Sequence, residues 1–153
     1  MINTILIYLF SLNRNIKVLL QVLVDFFSIF ISFTISMFLR LDNFLFIKNT
    51  DFWNCLIVLM FFNLLLFFKL NLYKNIIRFV TSRILNVIFI SSMLSGLFIL
   101  IYSQALNYFV PRSVPFIFII LFFLSTSSVR LLLRNIYLYQ NYNKKINVGI
   151  VGI

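Results

Sequence analysis

The sequence has no His, no Glu and a single Cys, Cys55. Its acids are Asp25, Asp42 and Asp51 alone. Without His, and with one thiol, the familiar zinc and Cys-rich sites are excluded. A lone Cys also forms no internal disulfide. Three scattered Asp leave little for a paired-carboxylate hydrolase. Only 10% of the residues are charged, against about 25% in a soluble domain. What fills the chain is apolar: 63% of its 153 residues, with a mean hydropathy of +1.09. A chain of this length has no interior large enough to bury that surface, which excludes both an ordinary globular domain and a disordered one. An integral membrane protein remains.

The net charge of +10 would point to nucleic acid in a soluble chain. Here Lys and Arg sit at the ends of apolar segments, where they orient helices. No nucleic-acid partner is expected. The wealth of Phe, Ile, Asn and Lys is what nucleotide bias in a genome produces, so no function is read into the 21 Phe.

Four apolar stretches are long enough to cross about 30 Å of hydrocarbon, which takes about 20 residues. They run from Val18 to Leu39, Phe52 to Phe68, Ile84 to Leu106 and Ser113 to Leu133. Charge flanks them: Lys17 and Arg40, Asp51 and Lys69, Arg83, then Arg112 and Arg134. The sequence thus predicts an all-α membrane protein, a four-helix transmembrane bundle over residues 17–135. Residues 1–16 precede it as an interfacial segment. The apolar part, Met1–Ser11, is too short to span, and Arg14 and Lys17 follow it, the reverse of a signal peptide.

The basic residues set the orientation. With a cytoplasmic N-terminus, the inside segments hold Arg14, Lys17, Lys69, Lys74, Arg78, Arg83, Arg130, Arg134, Lys144 and Lys145. The outside segments hold Arg40, Lys48 and Arg112. The positive-inside rule therefore predicts both termini in the cytoplasm.

Asp25 lies inside the first span, about seven residues from its cytoplasmic end and so roughly 10 Å deep. An ionised Asp at a helix centre costs about 2.5–3.5 kcal/mol to insert, less off-centre, and it needs a partner or a proton. Ser28, Ser32 and Ser36 follow at helical spacing and fall with it within about 80° of arc. This small polar stripe is expected to face other helices, since small residues let backbones approach. The expected partner is Arg130, near the cytoplasmic end of the fourth span and at a similar depth, beside Ser125, Thr126, Ser127 and Ser128. The pair is read as a packing contact; no second buried acid or His exists to build a proton relay. Ser92-x-x-x-Gly96 in the third span is a further small-residue packing match. Pro111 and Pro115 bracket the start of the fourth helix, where no backbone donor is lost.

Residues Lys69–Arg83 mix Tyr73, Ile76, Ile77, Phe79 and Val80 with Lys74, Arg78 and Arg83. Such a stretch is expected in the headgroup layer, with Tyr73 as an interface anchor and the basic residues drawn to anionic lipid headgroups. The alternative is that it docks a cytoplasmic domain or a lipid-linked substrate. After Arg134 the character changes: residues 136–145 read as a linker leaving the membrane. Residues 146–153, Ile-Asn-Val-Gly-Ile-Val-Gly-Ile, read as the first strand of a truncated nucleotide-binding domain of Rossmann type, reaching its glycine turn at Gly152. A strand without partners exposes its edge, so a soluble cytoplasmic part is expected to follow.

Four stretches carry a resemblance. Asp25 sits in the first span and Arg40 ends it. Leu72-Tyr73-Lys74, then Arg78, follows the second span. Val110-Pro111-Arg112-Ser113-Val114 opens the fourth span, and Arg130-Leu131-Leu132-Leu133-Arg134 closes it. In order and spacing these resemble the N-terminal membrane region of the CapD-like polysaccharide-biosynthesis proteins, membrane-bound nucleotide-sugar 4,6-dehydratases and epimerases of bacteria. The likeness covers about residues 17–153. Lys74 departs from an Arg in the family. The resemblance implies an anchor in the bacterial inner membrane, joined to a cytoplasmic Rossmann-type part that uses NAD(P) on a UDP-sugar for surface glycan synthesis. It carries over Gly152 alone as a cofactor-binding residue, and no catalytic residue. The expected partners are the lipid bilayer, its anionic headgroups, the catalytic part and a homo-oligomer partner, though no sequence feature marks a dimer surface. Two other readings stay open. One is the anchor of a polyprenyl-phosphate sugar-1-phosphate transferase, which also begins with four spans. The other is a small channel or transporter fragment, for which the spans offer only Asp25, Asn63, Asn86 and the Ser stripe.

Overall fold

A computed structural model describes residues 14–70, 72–73, 82–106, 108 and 110–142. Helix α1 spans Arg14–Leu41, α2 Thr50–Lys69, α3 Ser82–Ala105 and α4 Val114–Tyr142, with a 3-10 turn at Leu45–Lys48 between α1 and α2. No strand occurs among the described residues. In each helix a long apolar run satisfies its own backbone donors and acceptors, which is what the hydrocarbon of a bilayer demands. Four segments are long and apolar enough to cross a membrane: Val18–Leu41, Thr50–Lys69, Ile84–Ala105 and Val114–Asn135. The chain is a multi-pass membrane protein.

The spans lie within a few residues of those expected. The difference is at the far end of α4. The helix does not stop near Arg134 but runs on to Tyr142, so the first part of the expected linker is helical. No Gly or Pro interrupts residues 134–142, and nothing there breaks the i to i−4 ladder. Of the expected interfacial segment, residues 1–13 lie outside the described residues, and residues 14–16 are the first of α1. The expected strand at residues 146–153, Gly152 included, also lies outside them.

Local chemistry sets the helix ends. Asp42 takes a left-handed conformation, φ 51°, which a short polar side chain tolerates, and turns the chain out of α1. Its N–H still donates to the Phe38 carbonyl at 2.9 Å. At the end of α2, the Leu70 N–H reaches Leu66 at 2.8 Å and the Leu72 N–H reaches back to Phe67 at 3.1 Å. That wrap curls the chain over the helix end. Pro115 occupies the first turn of α4, where its missing N–H has no partner to lose.

Helix α4 packs most extensively, against both α1 and α3, while α2 packs against α3 and, less extensively, α1. Each helix leaves one apolar stripe open: Leu23, Phe27, Ile31, Ile35 and Leu39 on α1, and Trp53, Ile57, Phe61, Leu65 and Phe68 on α2. Phe89, Met93, Leu97 and Ile101 on α3, and Phe116, Ile120, Leu124 and Leu132 on α4, continue the pattern. Spacings of about four residues keep each stripe on one face. In water such a belt would be a liability; against lipid it is the required surface.

An aromatic column runs through the core, among aliphatic side chains. Ring centroids follow one another from the 3-10 turn toward the other end of the bundle. Phe46 to Phe52 is 5.1 Å, Phe52 to Phe33 5.4 Å and Phe33 to Phe118 6.2 Å. Phe118 to Phe122 is 5.2 Å, Phe122 to Phe67 6.1 Å and Phe67 to Tyr73 6.1 Å. All lie within the 4.5–7 Å over which aromatic pairs attract. Six of the 21 Phe build this column.

Candidate functional site: a buried ionic cluster at one end of the bundle

The column ends on the chain's one buried ion pair among the described residues. Arg130 Nη2 donates to Asp25 Oδ2 at 2.9 Å, and the two side chains are 11% and 4% exposed. The Tyr73 hydroxyl donates to the same carboxylate oxygen at 3.0 Å. The Arg130 guanidinium carbon stands 5.4 Å from the centroid of the Phe67 ring, close enough for a cation–π attraction. Phe68 packs against Tyr73, 5.0 Å between centroids. One carboxylate therefore gathers α1, α4 and the segment that follows α2.

Each group is placed by its element. Asp25 is on the buried face of α1, continuous with Ser28, Ser32 and Ser36. Arg130 is on the buried face of α4, two turns beyond Phe122. Tyr73 is delivered by the wrap that closes α2. The expected Asp25–Arg130 pair is formed. Tyr73 is not an interface anchor: it is buried, with its hydroxyl turned into the bundle. The physical reason is the acid. A carboxylate in the bundle gains from a second donor, and a phenol just past the end of α2 is long enough to supply one. Burial and the adjacent Asp25 carboxylate together push the Tyr73 phenol above its ordinary range, so it stays a donor.

The small-residue contacts follow two patterns. Ser28, Ser32 and Ser36 are buried among helices, as expected. The hydroxyls, however, bond their own helix where their bonds are described: Ser36 to Phe33 at 2.8 Å, Ser92 to Phe89 at 2.8 Å and Thr126 to Phe122 at 2.7 Å. They act as spacers that allow close packing, with their donors satisfied locally. Gly96 is packed against α4: a Cβ there would run into the Ile119 side chain and stand 3.3 Å from the Pro115 carbonyl. Lys74 and Arg78 lie outside the described residues. Arg83 falls in the first turn of α3, and its side chain is also outside the description.

The arrangement ties α1, α4 and the segment after α2 to one carboxylate. No group of three or more His, Cys, Asp or Glu gathers as a metal site among the described residues. Asp42 and Asp51 sit near the 3-10 turn, at the other end from Asp25. A nicotinamide cofactor finds no fit among the described residues, whose only glycine, Gly96, is inside a packed helix. Of the polar residues of the channel reading, Asp25, Asn63 and the Ser stripe are buried and Asn86 is exposed. Asn63 donates to Leu59. No family model, no curated protein and no solved structure matches the chain.

Proposed function

We propose that this chain is the membrane anchor region of a nucleotide-sugar 4,6-dehydratase or epimerase that acts in bacterial surface polysaccharide biosynthesis. The observation that carries the reading is the cluster itself. Asp25, Tyr73 and Arg130 belong to three of the four stretches that resemble the CapD-like proteins, and they meet on one carboxylate oxygen. An anchor needs helix ends held in fixed positions, and one acid with two donors does that.

The filled core supports an anchor over a conduit. Large rings fill the bundle core, and the buried Ser36, Ser92 and Thr126 hydroxyls bond their own helices. The transferase anchor remains the second member of the same class, separated from the first only by the Pro111–Val114 and Arg130–Arg134 stretches. In the proposed role the bundle keeps NAD(P)-dependent chemistry on the cytoplasmic face of the inner membrane, both termini inside. UDP-sugars are then made beside the lipid-linked glycan enzymes that consume them, at a raised effective concentration. Lys74, Arg78 and Arg83 would hold anionic headgroups at that face.

The test is to read the genomic DNA immediately downstream of the Ile153 codon. A frame continuing through a glycine-rich turn into a second strand, with a Tyr- or Met-x-x-x-Lys beyond, supports the dehydratase reading. A frame leading to a re-entrant membrane helix moves the chain to the transferases. A stop codon in intact DNA overturns both.

A further inference from the structure

The turn between α1 and α2 has the wrong surface for a loop in water. Of its four central side chains, only Phe46 is buried, at 3% exposure. Phe44 is 59% exposed, Leu45 68% and Ile47 38%. Loops that face water carry polar residues at such positions. Polar groups bracket this one instead: Arg40, Asp42 and Asn43 before it, Lys48, Asn49 and Thr50 after it, all exposed.

The turn is also rigidly held. Phe44 stacks on Phe38 at 4.4 Å, and Phe46 meets Phe52 at 5.1 Å. The indole N–H of Trp53 donates to the Ile47 carbonyl at 2.8 Å. Trp53 begins the open stripe of α2, and Leu39 ends that of α1, so the apolar turn continues a surface already facing lipid. Trp at a membrane–water boundary places its ring at the headgroup level.

We propose that residues 42–49 form an interfacial foot. Phe44, Leu45 and Ile47 sit among the upper acyl chains of one leaflet, and Arg40 and Lys48 meet its phosphates. The occupant of the exposed face is phospholipid. Continuity with the open apolar stripes of α1 and α2 argues for it. The foot fixes the depth of the bundle in the bilayer at the end opposite the Asp25 cluster. It rests on the four helices spanning a membrane, and not on which enzyme they anchor.

The experiment uses the full chain with Cys55→Ala, so that one introduced thiol is the only one. Asn43→Cys, Phe44→Cys, Leu45→Cys, Ile47→Cys and Asn49→Cys are each labelled with a nitrobenzoxadiazole fluorophore. All five positions are exposed, and of the five only Phe44→Cys removes a ring contact, the stack on Phe38. The protein is placed in vesicles of phosphatidylethanolamine and phosphatidylglycerol. An acyl-chain nitroxide lipid is expected to quench labels at 44, 45 and 47 about twofold or more over those at 43 and 49, with aqueous iodide giving the reverse order. Equal iodide quenching at all five overturns the foot, because the turn then stands in water. Labels at 44, 45 and 47 that neither quencher reaches also overturn it, because protein, such as a second copy, covers the turn. Flotation of the vesicles and alkaline carbonate extraction read the spanning itself. Protein released by carbonate overturns the membrane reading, a failure distinct from either quenching result.

Discussion

Replacing Arg130 with Met keeps the stem of the side chain and removes the guanidinium. Asp25 is then left with Tyr73 alone, in a site where its own side chain is 4% exposed. Removing one partner of a buried pair costs about 3–5 kcal/mol in soluble proteins, because the surviving charge is stranded. A lone interhelical hydrogen bond in a membrane averages only about 0.6 kcal/mol, because the unfolded chain finds other partners. Two donors on one buried oxygen, plus the lost contact with Phe67, place the Arg130→Met cost nearer the first figure, about 3 kcal/mol. Asp25→Asn costs less, since an amide oxygen still accepts from Tyr73. The assay is reversible unfolding in mixed micelles, run as a double-mutant cycle, with a coupling of at least about 1.5 kcal/mol expected. The exchange Asp25→Arg with Arg130→Asp is expected to recover part of the loss. Single costs below about 0.6 kcal/mol with no coupling would refute the reasoning, since the pair would then be one ordinary intramembrane contact.

Other consequences concern the phenol, the close approach and the two faces of the bundle. Tyr73 holds its proton more tightly in the folded chain than in the unfolded one. Stability is therefore full below about pH 10, where both states are protonated, and falls as pH rises above it, where only the unfolded phenol ionises. In alkaline unfolding titrations, Tyr73→Phe should flatten that part of the fall which Tyr73 causes. Gly96→Ala drives a methyl into the Ile119 side chain and should cost about 1–3 kcal/mol in the same unfolding assay, with Ile119→Ala restoring much of it. Phe33→Ala, at a fully buried point of the aromatic column, should cost about 3–5 kcal/mol. Phe27→Ala, 64% exposed on the open stripe of α1, should stay within about 0.5 kcal/mol.

The four spans were legible because hydrophobic length is a local property and the bilayer reads it directly. Asp25 and Arg130 were legible because few groups inside the spans are charged, and antiparallel helices bring residues at equal depth together. Gly96 was legible as half of a small-residue spacing. Tyr73 was not: its neighbours are basic and aromatic, as in any headgroup segment, and only the turn that closes α2 directs it inward. The aromatic column was hidden for a different reason. A Phe-rich composition looks the same whether the rings face lipid or one another, and side-chain direction decides that. Phe27 and Phe33 are both in α1, yet one is 64% exposed and the other 0%. The continuation of α4 to Tyr142 was missed because its last turns lose hydrophobicity before they lose helical order.

An anchor for a nucleotide-sugar enzyme must present its C-terminus to the cytoplasm, where nucleotide sugars are made. Green fluorescent protein and alkaline phosphatase, each fused after Ile153 in a Gram-negative host, read that side directly. A fluorescent first fusion with an inactive phosphatase fusion is the result expected. An active phosphatase with no fluorescence would put the C-terminus on the opposite side and contradict the proposed role.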